Sequence, residues 1–304
     1  MSILTRTYCL RRLVLGESYR YLRNEDISKK LFCYSASVFA AADNQQHKHR
    51  PTVDTLDEAE INRFNKLAEK WWDTSGPLRT LHQMNELRVP LVRDALRPDR
   101  DKNIEKCLEG KWIVDVGCGG GILSEPLARL GAFVLGLDAG KDGIDVAQRH
   151  AKTDPEIAHN IKYVHGVLED LVLTECEKFD AVVASEVIEH VTDQQNFVKM
   201  CCDLVKPGGM VIMSTINKTP LSYALGIIAA EYILGTLPKG THEYEKFIPI
   251  EELKKSFVEY GMDIKLVHGL VYNPITERWS WSSCKEISYA IVAQKRLIET
   301  DSVS

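Results

Sequence analysis

A chain of 304 residues, 44% hydrophobic and 27% charged, has ordinary globular composition, which excludes collagen, coiled coil and wholesale disorder. Its 38 basic and 43 acidic residues leave a net charge of -5, too acidic for a protein that grips nucleic acid through a general positive field.

The charge is unevenly placed along the chain. Residues 1–50 hold nine bases and four acids, so this leader is +5 and the remainder -10. Up to Arg23 the only acid is Glu17, and the arginines are interleaved with Ile3, Leu4, Leu10, Leu13, Val14 and Leu15. That pattern reads as an organelle transit peptide, with a surface tail as the bland alternative, and leaves residues 51–304 as the folded domain. Residues 57–72 place Ile61, Phe64, Leu67, Ala68 and Trp71 at helical steps, and residues 86–96 repeat the habit. From Lys111 short apolar runs at residues 112–116, 133–137, 161–164, 179–184 and 210–214 alternate with helix-length segments, the grammar of a parallel β/α fold. Lys206-Pro-Gly-Gly209 reads as the turn feeding the fifth strand, and runs at 263–267 and 289–293 close the sheet with an antiparallel edge. The expectation is a doubly wound, mostly parallel seven-stranded α/β sheet, Rossmann-like, with N-terminal helices and an apolar insertion after strand five. That insertion, residues 221–237, opens on Leu221, closes on Leu237 and is interrupted by Glu231. At ~1.5 Å per residue it reaches ~25 Å, short of a ~30 Å hydrocarbon core, so it is either a buried helix or a surface-seeking one. Eight cysteines without CxxC spacing read as free thiols of a reducing compartment.

The strongest local signal is Val114-Asp-Val-Gly-Cys-Gly-Gly-Gly-Ile122, a strand running into a glycine loop and then a helix. Gly117, Gly119 and Gly121 leave no Cβ against a bound ligand. Ile122 stands where a dinucleotide fold wants its third glycine, which weakens NAD. Asp115 would repel a pyrophosphate and attract an amino-acid ammonium. Asp138, twenty-one residues after Gly117, ends strand two where a carboxylate accepts from both ribose hydroxyls. Adenosine joined to an amino acid is S-adenosylmethionine; the competing reading makes both aspartates turn or cap residues.

Here the chain resembles the class I S-adenosylmethionine-dependent methyltransferases. Trp71-Trp72 with Leu81-His-Gln-Met-Asn-Glu-Leu-Arg88, Asp115-Val-Gly-Cys-Gly-Gly-Gly-Ile-Leu123, Glu186-Val-Ile-Glu-His190, and Pro238-Lys-Gly-Thr-His242 with Tyr272-Asn-Pro-Ile-Thr276 are similar to the ubiquinone-biosynthesis O-methyltransferase family. The resemblance covers residues 60–295. It implies cofactor contacts at Arg88, Gly117, Asp138 and Ser185, the last through its backbone, beside Asp115 and Gly119 from the residues themselves. It implies methyl transfer to a hydroxyl of polyprenylated catechol or quinol intermediates, peripheral at the matrix side of the mitochondrial inner membrane, with a multi-enzyme assembly as possible company.

Glu186, Glu189 and His190, at i, i+3 and i+4, share one face if they lie on one helical turn. On spacing alone they hold a divalent cation or are plain helix-terminus electrostatics; the resemblance implies the cation, and Mg2+ in particular. A phenol of pKa ~10 is ionised about once in a thousand at pH 7, a cost of ~4 kcal/mol that a chelated cation lowers. His242 reads as a base, a further ligand or a loop residue. Trp71-Trp72 and Trp279-Ser-Trp281 read as packing, since no basic cluster accompanies them. The competitors are a small-RNA 2′-O-methyltransferase, disfavoured by charge, and a non-catalytic lipid- or protein-binding scaffold. The apolar insertion is the expected contact with membrane lipid, and no nucleic-acid partner is expected.

Overall fold

The computed structural model describes residues 55–97, 105–224 and 244–297. The expected leader, His242 and all but the first four residues of the apolar insertion lie outside them. Helix α1 (Glu58–Asn65) starts on Asp57, whose carboxylate accepts from the N–H groups of Ala59 and Glu60. The single helix expected over 57–72 ends at Asn65 and gives way to a 3-10 turn at Ala68–Lys70. The apolar steps beyond Asn65 serve tertiary contacts instead: Ala68 and Trp71 pack with Leu78, Ile122 and Val146. Helix α2 (Arg79–Leu96) begins earlier than the period indicated. Its buried stripe is Met84, Arg88 and Val92, and an arginine in mid-stripe breaks the apolar pattern that marks a helix in sequence.

Then strands and helices alternate as the sequence indicates: β1 (Trp112–Val116), α3 (Ser124–Arg129), β2 (Phe133–Asp138), α4 (Lys141–Ala151), β3 (Ile161–His165), α5 (Leu168–Glu175), β4 (Phe179–Ser185), α6 (Gln194–Leu204) and β5 (Val205–Ile216). The turn expected at residues 206–209 is an irregularity within β5, whose pairing with β4 slips between Phe179 and Ala181. Helix α7 (Ile250–Glu259), β6 (Met262–Asn273), β7 (Arg278–Ser282) and β8 (Ser288–Lys295) complete the fold.

Among the described residues the sheet has eight strands rather than the expected seven, in the order β3-β2-β1-β4-β5-β8-β6-β7, with β8, β6 and β7 antiparallel. The unforeseen strand is β7, the Trp279-Ser-Trp281 segment read as packing; it pairs Trp279 with Tyr272 and Trp281 with Leu270 of β6. Five residues at a sheet edge offer too few alternations for a period to declare itself. Helices α2, α3 and α4 cover one face of the sheet and α5, α6 and α7 the other. Alternation along β1 sends Ile113 to the first face and Val114 and Val116 to the second, so Asp115 points toward α2 and α3. The order reverses between β1 and β4, and the crevice at their carboxyl ends is where such sheets bind ligands. Among the described residues no helix is long and apolar enough to cross a membrane, and the six cysteines are unbridged.

Candidate active site

The turn after β1 is left-handed at Gly117 (φ +70), Gly119 (φ +52) and Gly121 (φ +86). A Cβ on Gly117 would stand 2.5 Å from a methyl of Val187, and one on Gly119 would meet the Trp71 ring. The glycines therefore admit the protein's own side chains to the loop as well as leaving backbone bare. Trp72 donates from Nε1 to the Gly120 carbonyl at 3.0 Å and stacks on His150 with ring centroids 3.5 Å apart. Asp138 latches the turn: Oδ2 accepts from the Gly119 N–H at 2.8 Å and Oδ1 from the Gly140 N–H at 2.6 Å. Burial pushes its carboxyl upward, and these two bonds oppose the rise. Each oxygen keeps a second lone pair for a ligand hydroxyl.

Asp115 is 3% exposed and accepts from the Ser124 hydroxyl at 2.5 Å, which ties the start of α3 to β1. Burial pushes its pKa up to about 6, against the Ser124 bond and the nearby charge of Arg88. Arg88 reaches the same face from α2. Its Nη2 donates to the Leu81 carbonyl and to Asn85 Oδ1, both at 2.7 Å, and its Nη1 to Ser185 Oγ at 3.2 Å. Burial lowers it to about 10, still charged at neutral pH. Asn85 also donates to the Ile122 carbonyl at 2.7 Å, joining α2 to the glycine loop.

A directed chain runs on from Arg88. Ser185 Oγ lies 2.7 Å from Ser214 Oγ, and Ser214 donates to Glu186 Oε1 at 2.6 Å. A hydroxyl has one proton, so Ser185 donates to Ser214 and accepts from Arg88. The Ser185 side chain is thus engaged, not only its backbone. Next along β5, Thr215 donates to Glu189 Oε2 at 2.8 Å, whereas Glu189 Oε1 is buried with no partner among the described residues. Burial raises both carboxyls, and the charge of Glu186 raises Glu189 further.

The single helical turn expected for Glu186, Glu189 and His190 is not what forms. Glu186 is left-handed (φ +58) and the helical part is a 3-10 turn at Ile188–His190. Among the described residues no three His, Cys, Asp or Glu side chains converge as a ready cation cluster. Ser214 and Thr215, neighbours at the end of β5, each hold one of the two glutamates, whose charges still act on each other. His190 is held by Glu60 of α1, Nδ1 to Oε2 at 2.9 Å.

All nine residues singled out by sequence nevertheless line one cavity of ≈ 560 Å³: Arg88, Asp115, Gly117, Gly119, Asp138, Ser185, Glu186, Glu189 and His190. Its charged wall is otherwise acidic, with Asp57 and Glu60 added and Arg88 the sole arginine or lysine among its described lining residues, a field suited to a cationic sulfonium. Sequence reasoning missed Glu60, Asn85, Ser214 and Thr215. A signal existed for the last two, a polar pair ending the apolar run of a parallel strand.

The family model described as a methyltransferase domain matches residues 114–213. A solved chain from the complex between the Haloferax volcanii Trm112 methyltransferase activator and a putative methyltransferase shares the fold at TM-score 0.50 and 16% identity, over 77% of this chain and 97% of that one. The sheet order, the left-handed glycine turn and the acid at the end of β2 define a class I S-adenosylmethionine-dependent methyltransferase. The mitochondrial ubiquinone biosynthesis O-methyltransferase of Homo sapiens is 46% identical over 81% of this chain and 67% of its own length, and the ubiquinone biosynthesis O-methyltransferase of Methylobacterium sp. (strain 4-46) is 44% identical over 81% of this chain and 98% of its own. The chain belongs to the ubiquinone biosynthesis O-methyltransferase family.

Proposed function

We propose that this protein moves the methyl group of S-adenosylmethionine onto a hydroxyl of a polyprenylated catechol or quinol on the route to ubiquinone. The observation that carries this reading is the one cavity in which the cofactor residues at Gly117, Asp138 and Arg88 meet the buried acids Glu186 and Glu189. The hydroxyl releases its proton, the carbon–oxygen bond forms as the carbon–sulfur bond breaks, and S-adenosylhomocysteine leaves. In this reading Asp115 faces the cofactor's ammonium, Asp138 its ribose, and the acidic wall holds the sulfonium in place.

A divalent ion belongs to the proposal. The unpartnered buried Oε1 of Glu189, beside the carboxylate of Glu186, fits one; the imidazole of His190, engaged by Glu60, completes the donor set. Glu186, Glu189 and His190 would hold it, and it would supply charge that favours the phenolate over the phenol. A carboxylate and imidazole set accepts Mn2+ or Zn2+ as readily as Mg2+. The mitochondrion follows from the mitochondrial relatives. Attachment to the inner membrane from the matrix side, with residues 221–237 at the lipid surface, rests on their apolar composition between Lys218 and Lys239.

The test is methyl transfer from labelled S-adenosylmethionine to a short-tailed prenyl catechol, with and without chelator. Wild type should turn over and lose activity in chelator, and Glu189→Gln should keep cofactor binding but lose transfer. Full turnover in chelator removes the ion from the mechanism. Aspartate at both Ile227 and Ile228 should abolish liposome association with cofactor affinity intact; unchanged association removes the lipid contact.

A further inference from the structure

We propose that Glu60 is a positioning residue that sets the tautomer of His190, holding the proton on Nδ1 and leaving Nε2 bare toward the cavity chemistry. The inference rests on the reading of His190 as part of the reaction site, though not on what occupies that site.

The geometry comes from three separate tethers. Glu60 is 8% exposed, and its Oε2 lies 2.9 Å from His190 Nδ1. An ionised carboxylate only accepts, so the neutral imidazole must present an N–H there, and its other nitrogen carries the lone pair. Arg63, one turn along α1, donates to the same Oε2 at 2.6 Å, which favours the carboxylate form. Phe64 meets the imidazole edge-on with centroids 5.3 Å apart, so two residues of α1 seat the ring. The helix itself is anchored independently of them. Lys246 pairs with Asp57 at 2.8 Å, Thr55 bonds Glu169 through its N–H and hydroxyl, and the Thr192 N–H donates to the Thr55 carbonyl at 2.9 Å. A carboxylate behind an imidazole fixes which nitrogen is basic, and removing such a partner costs a metal site about 10- to 100-fold in affinity.

The experiment is ¹⁵N NMR of the imidazole in the full chain labelled at histidine, with His190 assigned by loss of its signals in His190→Gln. At a pH above the His190 pKa, which Glu60 and Glu189 raise against the effect of burial, wild type should show protonated Nδ1 and bare Nε2. Glu60→Leu, which keeps the packing and removes the acceptor, should mix the two tautomers with circular dichroism retained. A wild-type spectrum with the proton on Nε2, or an unmixed Nδ1–H tautomer in Glu60→Leu, overturns the proposal; if Glu60→Leu does not fold, the wild-type spectrum alone decides it. Mn2+ added without cofactor supplies a second readout: its affinity should fall about 10- to 100-fold in Glu60→Leu. A wild type that shows the Nδ1–H tautomer and binds no Mn2+ supports Glu60 as positioner and removes only the metal from the proposed function.

Discussion

Asp115 shows how one residue can oppose the stability of the empty protein and serve the loaded one. Its folded pKa of about 6 lies above the ordinary aspartate value of 3.8, so the stability of the protonated form is fully present below pH 3.8 and is lost as pH rises through about 6. Two units correspond to about 3 kcal/mol at neutral pH. In the cofactor-free protein Asp115→Asn should therefore gain on wild type by about 3 kcal/mol between pH 4 and pH 7, read by urea unfolding at each pH; a constant difference would contradict the burial argument. Binding of S-adenosylhomocysteine should show the opposite preference, tightening in wild type as pH passes 6 and weak in Asp115→Asn throughout, measured by calorimetry. The left-handed Glu186 belongs to the same scale, since a non-glycine residue held at φ +58 is a conformation that the surrounding bonds from Ser214 must maintain. Asp115 and Asp138 were legible from their spacing to the glycines. Glu60 was not, because an acid in the first turn of a helix reads as an ordinary solvated or dipole-favoured residue.

At the scale of elements, the glycine turn is a joint between β1, β2 and the N-terminal helices. Asp138→Ala removes the acceptor for the Gly119 and Gly140 N–H groups and should cost about 2–6 kcal/mol, at about one to three per charge-assisted bond, with cofactor binding lost as well. Equilibrium unfolding checks the first effect and calorimetry the second; wild-type stability would mean the latch is idle. Gly119→Ala should be worse than a propensity change alone, because the added methyl meets the Trp71 ring at a left-handed position. The alternation of strands and helices was legible from period and punctuation. The 3-10 turn before Trp71 and the edge strand β7 were not, since both exist to place tryptophans against distant partners: Trp72 against Gly120 and His150, Trp279 against the Thr80 carbonyl.

For the whole molecule, the N-terminal helices and the sheet close on one cavity, so the cofactor should bind both parts together. S-adenosylhomocysteine at a hundred times its Kd should stabilise the protein by about 2.7 kcal/mol. Hydrogen exchange should slow more across residues 71–88, where Trp71, Leu81, Met84 and Arg88 line the cavity, than in α7, which lies on the other face and gains only the global stabilisation. Equal slowing in both would indicate global stabilisation without engagement of α2. The doubly wound order, the glycine turn and the acids that flank it were readable along the chain, because they follow from local period, backbone freedom and spacing within a single strand-turn-helix unit. That Arg88 is a buried member of the site, that Ser214 and Thr215 hold Glu186 and Glu189, and that Glu60 stands behind His190 emerges only once the chain has folded. Those contacts join residues 26 to 130 positions apart, and a hydrogen bond between distant parts of a chain leaves no periodic trace in either part.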